Sequence, residues 1–203
     1  MSTASSLTHD DLGSAAQRAR HTRILDATIA LASQGGFDAV QMRAVADRAD
    51  VALGTLYRYF PSKIHLLVSA LAREFEQAAA SIEHKPIPGD HRADRVMYVL
   101  GRATASLQRD PHLTEALTRA FMFADATVAD ESKAVARHVT RLLTRAIQEP
   151  GRSGEPAPTD EELAITKVIS DVWLASLVRW VTGRATADEV TGSLEVAVRL
   201  LLR

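Results

Sequence analysis

Apolar residues recur every three and four positions along most of this chain, and they nowhere alternate over a useful length. That spacing marks one face of a helix, whereas a half-buried strand alternates. In the first long stretch Ile24, Leu25, Thr28, Ile29, Leu31 and Ala32 fall on a single stripe. Breaks are few and carry the residues that end helices: Gly35-Gly36, Pro61-Ser62, Pro86 to Gly89, and the longer run Glu149 to Thr159 (EPGRSGEPAPT). Between them the pattern predicts helices near 14–34, 42–48, 52–59, 62–83, 91–109, 112–124, 128–148, 160–182 and 187–202. Start signals agree. Asp110 precedes a first-turn Pro111, and Thr159 with Glu162 and Thr186 with Glu189 have the spacing of capping boxes. The fold class is therefore all-α. The first three helices are too small to be stable alone and should dock on the helix that begins at Ser62. The expected organisation is a flexible polar arm over 1–13, a small unit over 14–61 and a larger one over 62–203.

Composition narrows the chemistry. With 203 residues, 46% hydrophobic and 24% charged, the chain is globular and long enough for a sizeable core. It has no cysteine, which excludes disulfides, thiolate metal sites and cysteine nucleophiles. Its seven histidines never stand three or four residues apart, so no helix-borne metal site is expected. Neither a GxxxxGK phosphate loop nor a GxSxG nucleophile elbow is present. No enzyme, metal or cofactor is expected. Lacking a secretory signal and any apolar run of about 18 residues, the sequence predicts a soluble cytoplasmic chain with no membrane partner.

A net charge of −1 argues at first against a polyanionic partner, but the charge is unevenly spread. Residues 18–63 hold seven basic side chains against four acidic ones. Within them, residues 41–63 read QMRAVADRADVALGTLYRYFPSK. Met42, Val45, Ala46 and Ala49 make the buried stripe of one short helix, Asp50-Val51 a turn, and Val51, Leu56 and Phe60 the inner face of a second. Two short helices joined by a tight turn can lay the second in the major groove of DNA. Its outer face shows Leu53, Gly54, Thr55, Tyr57, Arg58 and Tyr59. Arg43 and Arg58 suit guanine edges or phosphates, and the hydroxyls of Thr55, Tyr57 and Tyr59 can donate to phosphate oxygens. Gly54 removes a side chain where backbone must approach the duplex, and Lys63 opens the next helix, where free N–H groups favour an anion. Basic and aromatic residues on an ordinary solvated surface would show the same spacing.

The run GTLYRYFPSKIHLL, preceded by the two-helix unit and a helix ending in Gly-Gly, closely resembles the signature of TetR-family transcriptional repressors. That resemblance implies a double-stranded DNA operator met by Arg43 and the face from Leu53 to Tyr59, with Tyr57, Tyr59 and Lys63 on the phosphate backbone. It also implies a flanking contact by Arg18, Arg20 and Arg23. Asp50 and Ala52 depart from the glycine and serine common in the family. Asp50 suits the turn through its tolerance of left-handed conformations, whereas Ala52 cannot cap. A narrower likeness, spanning residues 41–63, 113–126 and 168–180, is to actinobacterial TetR-type repressors of cholesterol catabolism. It implies a small apolar effector of the sterol class, a sterol-derived CoA thioester. Unrelated apolar effectors and a helical lipid carrier remain open readings.

In the remaining two-thirds, Met97, Leu100, Leu107, Leu117, Phe121, Met122, Phe123, Trp173 and Leu177 are the candidates to line an apolar cavity, although each is equally at home in a plain helical core. The last two helices carry more apolar residues than one small domain needs. Ile165, Ile169, Val172, Ser176 and Trp180, with Val190, Leu194, Val198 and Leu201, are the expected homodimer interface, a four-helix bundle across a twofold axis. A dimer spaces two reading helices for successive major grooves, so the operator should be near-palindromic. The helix at 62–83 should connect effector core to DNA-reading unit.

Overall fold

The computed structural model describes residues 9–83, 85–148 and 157–203, and the side chains from Ala15 onward within them. The described residues contain helices and no strand. In chain order the helices are α1 (His9–Ala39), α2 (Met42–Arg48), α3 (Leu53–Tyr59), α4 (Lys63–Ile82), α5 (Arg92–Arg109) and α6 (Pro111–Met122). A single 3-10 turn (Ala126–Val128) then leads to α7 (Ala129–Ile147), α8 (Asp160–Val181) and α9 (Ala187–Leu201). Residues 1–8 of the expected arm and 149–156 of the expected linker lie outside the described residues.

Boundaries follow local chemistry. Asp110 accepts a hydrogen bond from the Leu113 N–H at 2.9 Å and Pro111 opens α6. Thr159–Glu162 and Thr186–Glu189 both close complete capping boxes. Such caps each stabilise by about 0.5–2 kcal/mol. The first helix is longer than the sequence pattern predicts, starting at His9 rather than Ser14, because Gly13 and Ser14 lower propensity without breaking a helix rich in alanine. Its course is interrupted at Gly35 and Gly36. Gly36 has φ +67° and ψ −157°, a combination open almost only to glycine.

At the centre lies α4. Over its first three turns His65, Leu66, Leu67, Val68, Ala70, Leu71 and Ala72 are all buried, so it is apolar nearly all round and sits inside the molecule. It packs on α1, α6 and α7. Burying each leucine contributes about 1.5–3 kcal/mol. Of the N-terminal trio expected to dock on this helix, α1 makes the packing contact, with α2 against α1 and α3 against α2, and α1 also runs along α6, its most extensive neighbour. His65 ties the start of α4 to the 3-10 turn. Its Nε2–H donates to the Thr127 carbonyl at 3.0 Å, which leaves Nδ1 to accept from the Ser62 hydroxyl at 2.9 Å.

Candidate DNA-reading face and effector cavity

The α2–α3 unit is built by a few inward anchors. Val45 and Ala46 of α2, Leu56 of α3 and Phe60 just beyond it are buried. Asp50 turns the chain with φ +53°, the left-handed conformation expected of it. Ala52 holds the N-cap position of α3 with no side-chain bond, so the start of α3 rests on backbone alone, with Thr55 and Leu56 N–H groups donating to the Ala52 carbonyl at 2.8 and 3.1 Å.

Leu53, Gly54, Tyr57 and Arg58 of α3 are exposed, Thr55 is half-buried, and Arg43 of α2 is exposed. A Cβ built on Gly54 would meet nothing within 4 Å, so this side of α3 is open for an approaching surface. Arg20 and Arg58 converge with Tyr59 on a groove of about 540 Å³ between α1 and α3. Arg18 is exposed on the same helix as Arg20. Tyr59 packs half-buried beside His21 and Phe60, with ring centroids 6.3 Å from each. Burial first, then the nearby Arg73 charge, lowers the His21 pKa below the ordinary histidine value.

Two of the expected phosphate contacts are already engaged within the chain. Arg23 donates from Nε to the Ala49 carbonyl at 3.4 Å and so braces the turn between α2 and α3. Lys63 donates to the Phe37 carbonyl at 3.0 Å, and its ammonium lies 3.9 Å from the Phe37 ring centroid. Burial lowers the Lys63 pKa, opposed by Asp38 and reinforced by Arg119.

An apolar cavity of about 480 Å³ lies among α4, α5, α6, α7 and α8. Of the residues proposed from the sequence, Leu107, Leu117, Phe121, Trp173 and Leu177 line it. Met97 is half-buried and Leu100 fully buried in the core, but neither reaches the cavity. Met122 and Phe123, at the end of α6, turn outward and are 53% and 67% exposed, because Phe121 already takes the inward position of that last turn. Sequence reasoning missed Leu71 and Phe75 of α4 and Val135 and Val139 of α7, all lining residues. Their i, i+4 spacing was the available signal. Trp173 is fixed by donating Nε1–H to the Thr104 hydroxyl at 3.0 Å and by an edge contact to Phe75 with centroids 5.6 Å apart. Thr118 is 6% exposed and lines the cavity.

One wall of that cavity also holds the end of α1. Leu117, Thr118 and Phe121 of α6 face the cavity, while Glu115 and Arg119 on the same helix meet the end of α1. Glu115 Oε2 accepts the Phe37 N–H at 2.8 Å, and a Cβ on Gly36 would lie only 2.6 Å from that oxygen. Arg119 sits 4.4 Å from the Phe37 ring centroid and 3.5 Å from Asp38 Oδ2.

Most of the side chains proposed for a dimer interface turn inward. Ile165, Ile169 and Ser176 of α8 and Val190, Leu194 and Val198 of α9 are buried within this one chain, and Val172, Trp180 and Leu201 are half-buried. Beside them, Leu163 (40%), Val168 (45%), Val196 (61%) and Leu200 (57%) form the exposed apolar part of the two helices. No described helix is long and apolar enough to cross a membrane, and no described cluster of His, Asp and Glu is placed to hold a metal.

Two family models match the chain in succession. Residues 24–80 match the family model described as "Bacterial regulatory proteins, tetR family". Residues 89–201 match "Tetracyclin repressor-like, C-terminal domain". The HTH-type transcriptional repressor KstR of Rhodococcus jostii is 55% identical over 199 residues, covering 98% of this chain and 90% of that protein. KstR of Mycobacterium tuberculosis is 52% identical over 196 residues, covering 97% and 86%. Among solved structures, a TetR transcriptional regulator from Rhodococcus sp. RHA1 superposes with TM-score 0.82 at 33% identity, covering 92% of this chain and 97% of that one. FadR of Bacillus subtilis, solved with stearoyl-CoA, shares the fold at TM-score 0.63 and 18% identity, covering 90% and 97%.

Proposed function

Because the chain belongs to the TetR family of bacterial regulatory proteins, we propose that it is a dimeric repressor of sterol-catabolism genes, released from its operator by a sterol-derived CoA thioester. In this reading α3 lies in the major groove. Arg43 and Arg58 read base edges or phosphates, and Thr55, Tyr57 and Tyr59 donate to the backbone. Arg18 and Arg20 take the flanking phosphates. Two protomers join through the exposed faces of α8 and α9, around Val168, Val196 and Leu200. The operator is then a near-palindrome with half-sites about one helical turn, or a multiple of it, apart.

The observation that carries the mechanism is the double use of α6, whose one face bounds the cavity while Glu115 on the other holds the Phe37 amide. A ligand that displaces Leu117 and Phe121 moves Glu115 with them, and through Phe37 and Lys63 it tilts α1 and the unit that carries α3. The cavity volume of about 480 Å³ falls within the ~300–1,000 Å³ usual for small-molecule sites. Its aliphatic and aromatic lining suits a fused-ring hydrocarbon, and the likeness to actinobacterial repressors of cholesterol catabolism supports the sterol class. By linkage, operator binding lowers effector affinity by the same factor that the effector lowers operator affinity.

The test is to incubate the protein with sheared host DNA, sequence what it retains at moderate salt, and challenge the bound fragments with effector. A palindrome beside sterol-degradation genes, released by the CoA thioester of a sterol carboxylic acid, is expected. A palindrome beside unrelated genes removes the sterol assignment and keeps the repressor. Failure to retain any palindrome removes the DNA-reading face itself.

A further inference from the structure

Lys63 opens α4 four residues after Tyr59, the last residue of α3. That end of a helix draws anions through its free N–H groups. The Lys63 ammonium is nevertheless occupied within the chain, with Nζ donating to the Phe37 carbonyl at 3.0 Å and lying 3.9 Å from the Phe37 ring centroid. Among the described residues no carboxylate stands within ion-pair distance of it. A carbonyl dipole and a ring face are both weaker partners for an ammonium than a phosphate oxyanion.

Both partners keep a substitute when the ammonium leaves. The Phe37 carbonyl also accepts the Val40 N–H at 3.3 Å. The Phe37 ring retains the Arg119 guanidinium 4.4 Å from its centroid, and Asp38 and Glu115 each pair with that guanidinium at 3.5 Å. Burial, opposed first by Asp38, lowers the Lys63 pKa, which marks a place where the ammonium has lost water without gaining a carboxylate in contact. The four-carbon stem of a lysine lets the charge swing while the helix that carries it stays in place.

Resting on the reading of α3 as the helix that meets the operator, we propose that Phe37 is a positioning residue for operator binding, which holds Lys63 in reserve until a backbone phosphate draws the ammonium off its ring and carbonyl. Phe37 touches no DNA and sets operator affinity through Lys63 alone. The effect is blind to sequence, because phosphate contacts place a protein on a duplex without reading it. Glu115 holds the Phe37 N–H from α6, so the grip on Lys63 answers to the helix that bounds the cavity.

Anisotropy titrations of the full chain across a salt series test this with two labelled duplexes, one carrying the palindrome retained from sheared host DNA and one scrambled to the same length. Phe37→Leu keeps the carbonyl and removes the ring, and should tighten binding to both duplexes by about two- to fivefold at an unchanged salt slope. Lys63→Gln should weaken both and shrink the slope of log affinity against log salt by about 0.9, the share of one phosphate. In F37L/K63Q the gain from Phe37→Leu should vanish, which a purely structural Phe37 would not produce. The parent alone gives a second readout. Its Lys63 side-chain protons, shifted upfield by the Phe37 ring, should return to ordinary positions when duplex is added, and Lys63→Arg assigns the signal among the four lysines. A parental salt slope in Lys63→Gln overturns the proposal, as does a well-folded Phe37→Leu that binds no tighter. A gain that persists without Lys63 also overturns it, by placing the effect in the packing of α1. Should Phe37→Leu melt early, the parent's lysine signals decide, and their failure to move on duplex overturns it. A parent that prefers the palindrome in any of these cases leaves the operator reading standing, whereas a parent that retains no palindrome ends both together.

Discussion

Gly36 is the residue whose identity is most tightly dictated by its surroundings. Its φ of +67° with ψ near extended lies where a Cβ is strained, and the Glu115 carboxylate occupies the space a Cβ would take. Gly36→Ala should lower the unfolding free energy by about 1–3 kcal/mol, measured by urea titration. If stability is unchanged, the end of α1 is not held as described. A second residue-scale expectation concerns acid. The folded chain disfavours protonated His21, so the unfolded state takes up its proton first as pH falls. His21's share of stability is therefore complete above about pH 6.5 and is lost as pH drops through the lowered folded value. His21→Gln should flatten that part of the profile, followed as Tm between pH 7.5 and 5, and an unaltered profile would assign the acid sensitivity to other groups.

At the level of elements, the proposed mechanism makes α6 the link between cavity and reading unit. Glu115→Ala removes the acceptor for the Phe37 N–H and should reduce the effector-induced loss of operator affinity by about fivefold or more, while effector affinity without DNA stays within about threefold. Glu115→Gln, which retains an amide oxygen, should keep most of the coupling. Operator anisotropy with and without effector gives both numbers, and a fully coupled Glu115→Ala protein would move the relay to α4. How legible each element was in the sequence follows the same division between local and distant causes. Both capping boxes, the Asp110-Pro111 start, the left-handed Asp50 and the uncapped Ala52 were readable because each is settled within four residues. The pairing of Phe37 with Glu115 spans 78 residues, and no local pattern announces it. The same holds for α7 as a cavity wall, since an amphipathic stripe shows that Val135 and Val139 face inward without showing what they face. The abundant apolar residues of α8 and α9 read as an interface because the sequence does not show how many neighbours each helix has. With α5, α6 and α7 packed around them, Ile169 and Leu194 belong to the chain's own core.

The whole molecule reads DNA only as a pair in the reading above, and the faces left for pairing are small in apolar content. Val196→Asp with Leu200→Asp should convert the dimer to a monomer in sedimentation while leaving the monomer folded, both positions being exposed. Operator affinity should then fall by about two orders of magnitude, because the second half-site no longer binds as part of one body. A variant that remains dimeric would locate the interface elsewhere. The α3 helix has a consequence at this scale. It is secured from within by Leu56 and the adjoining Phe60, and its outward side chains support nothing else: Gly54 faces open space, and Leu53, Tyr57 and Arg58 stand in solvent. In the proposed reading, the address carried by the molecule is thus separable from its sensor. Rewriting positions 53, 54, 55, 57 and 58 would redirect the same switch to a different stretch of genome, so a lineage can inherit the ability to sense one compound and reassign the genes that answer to it.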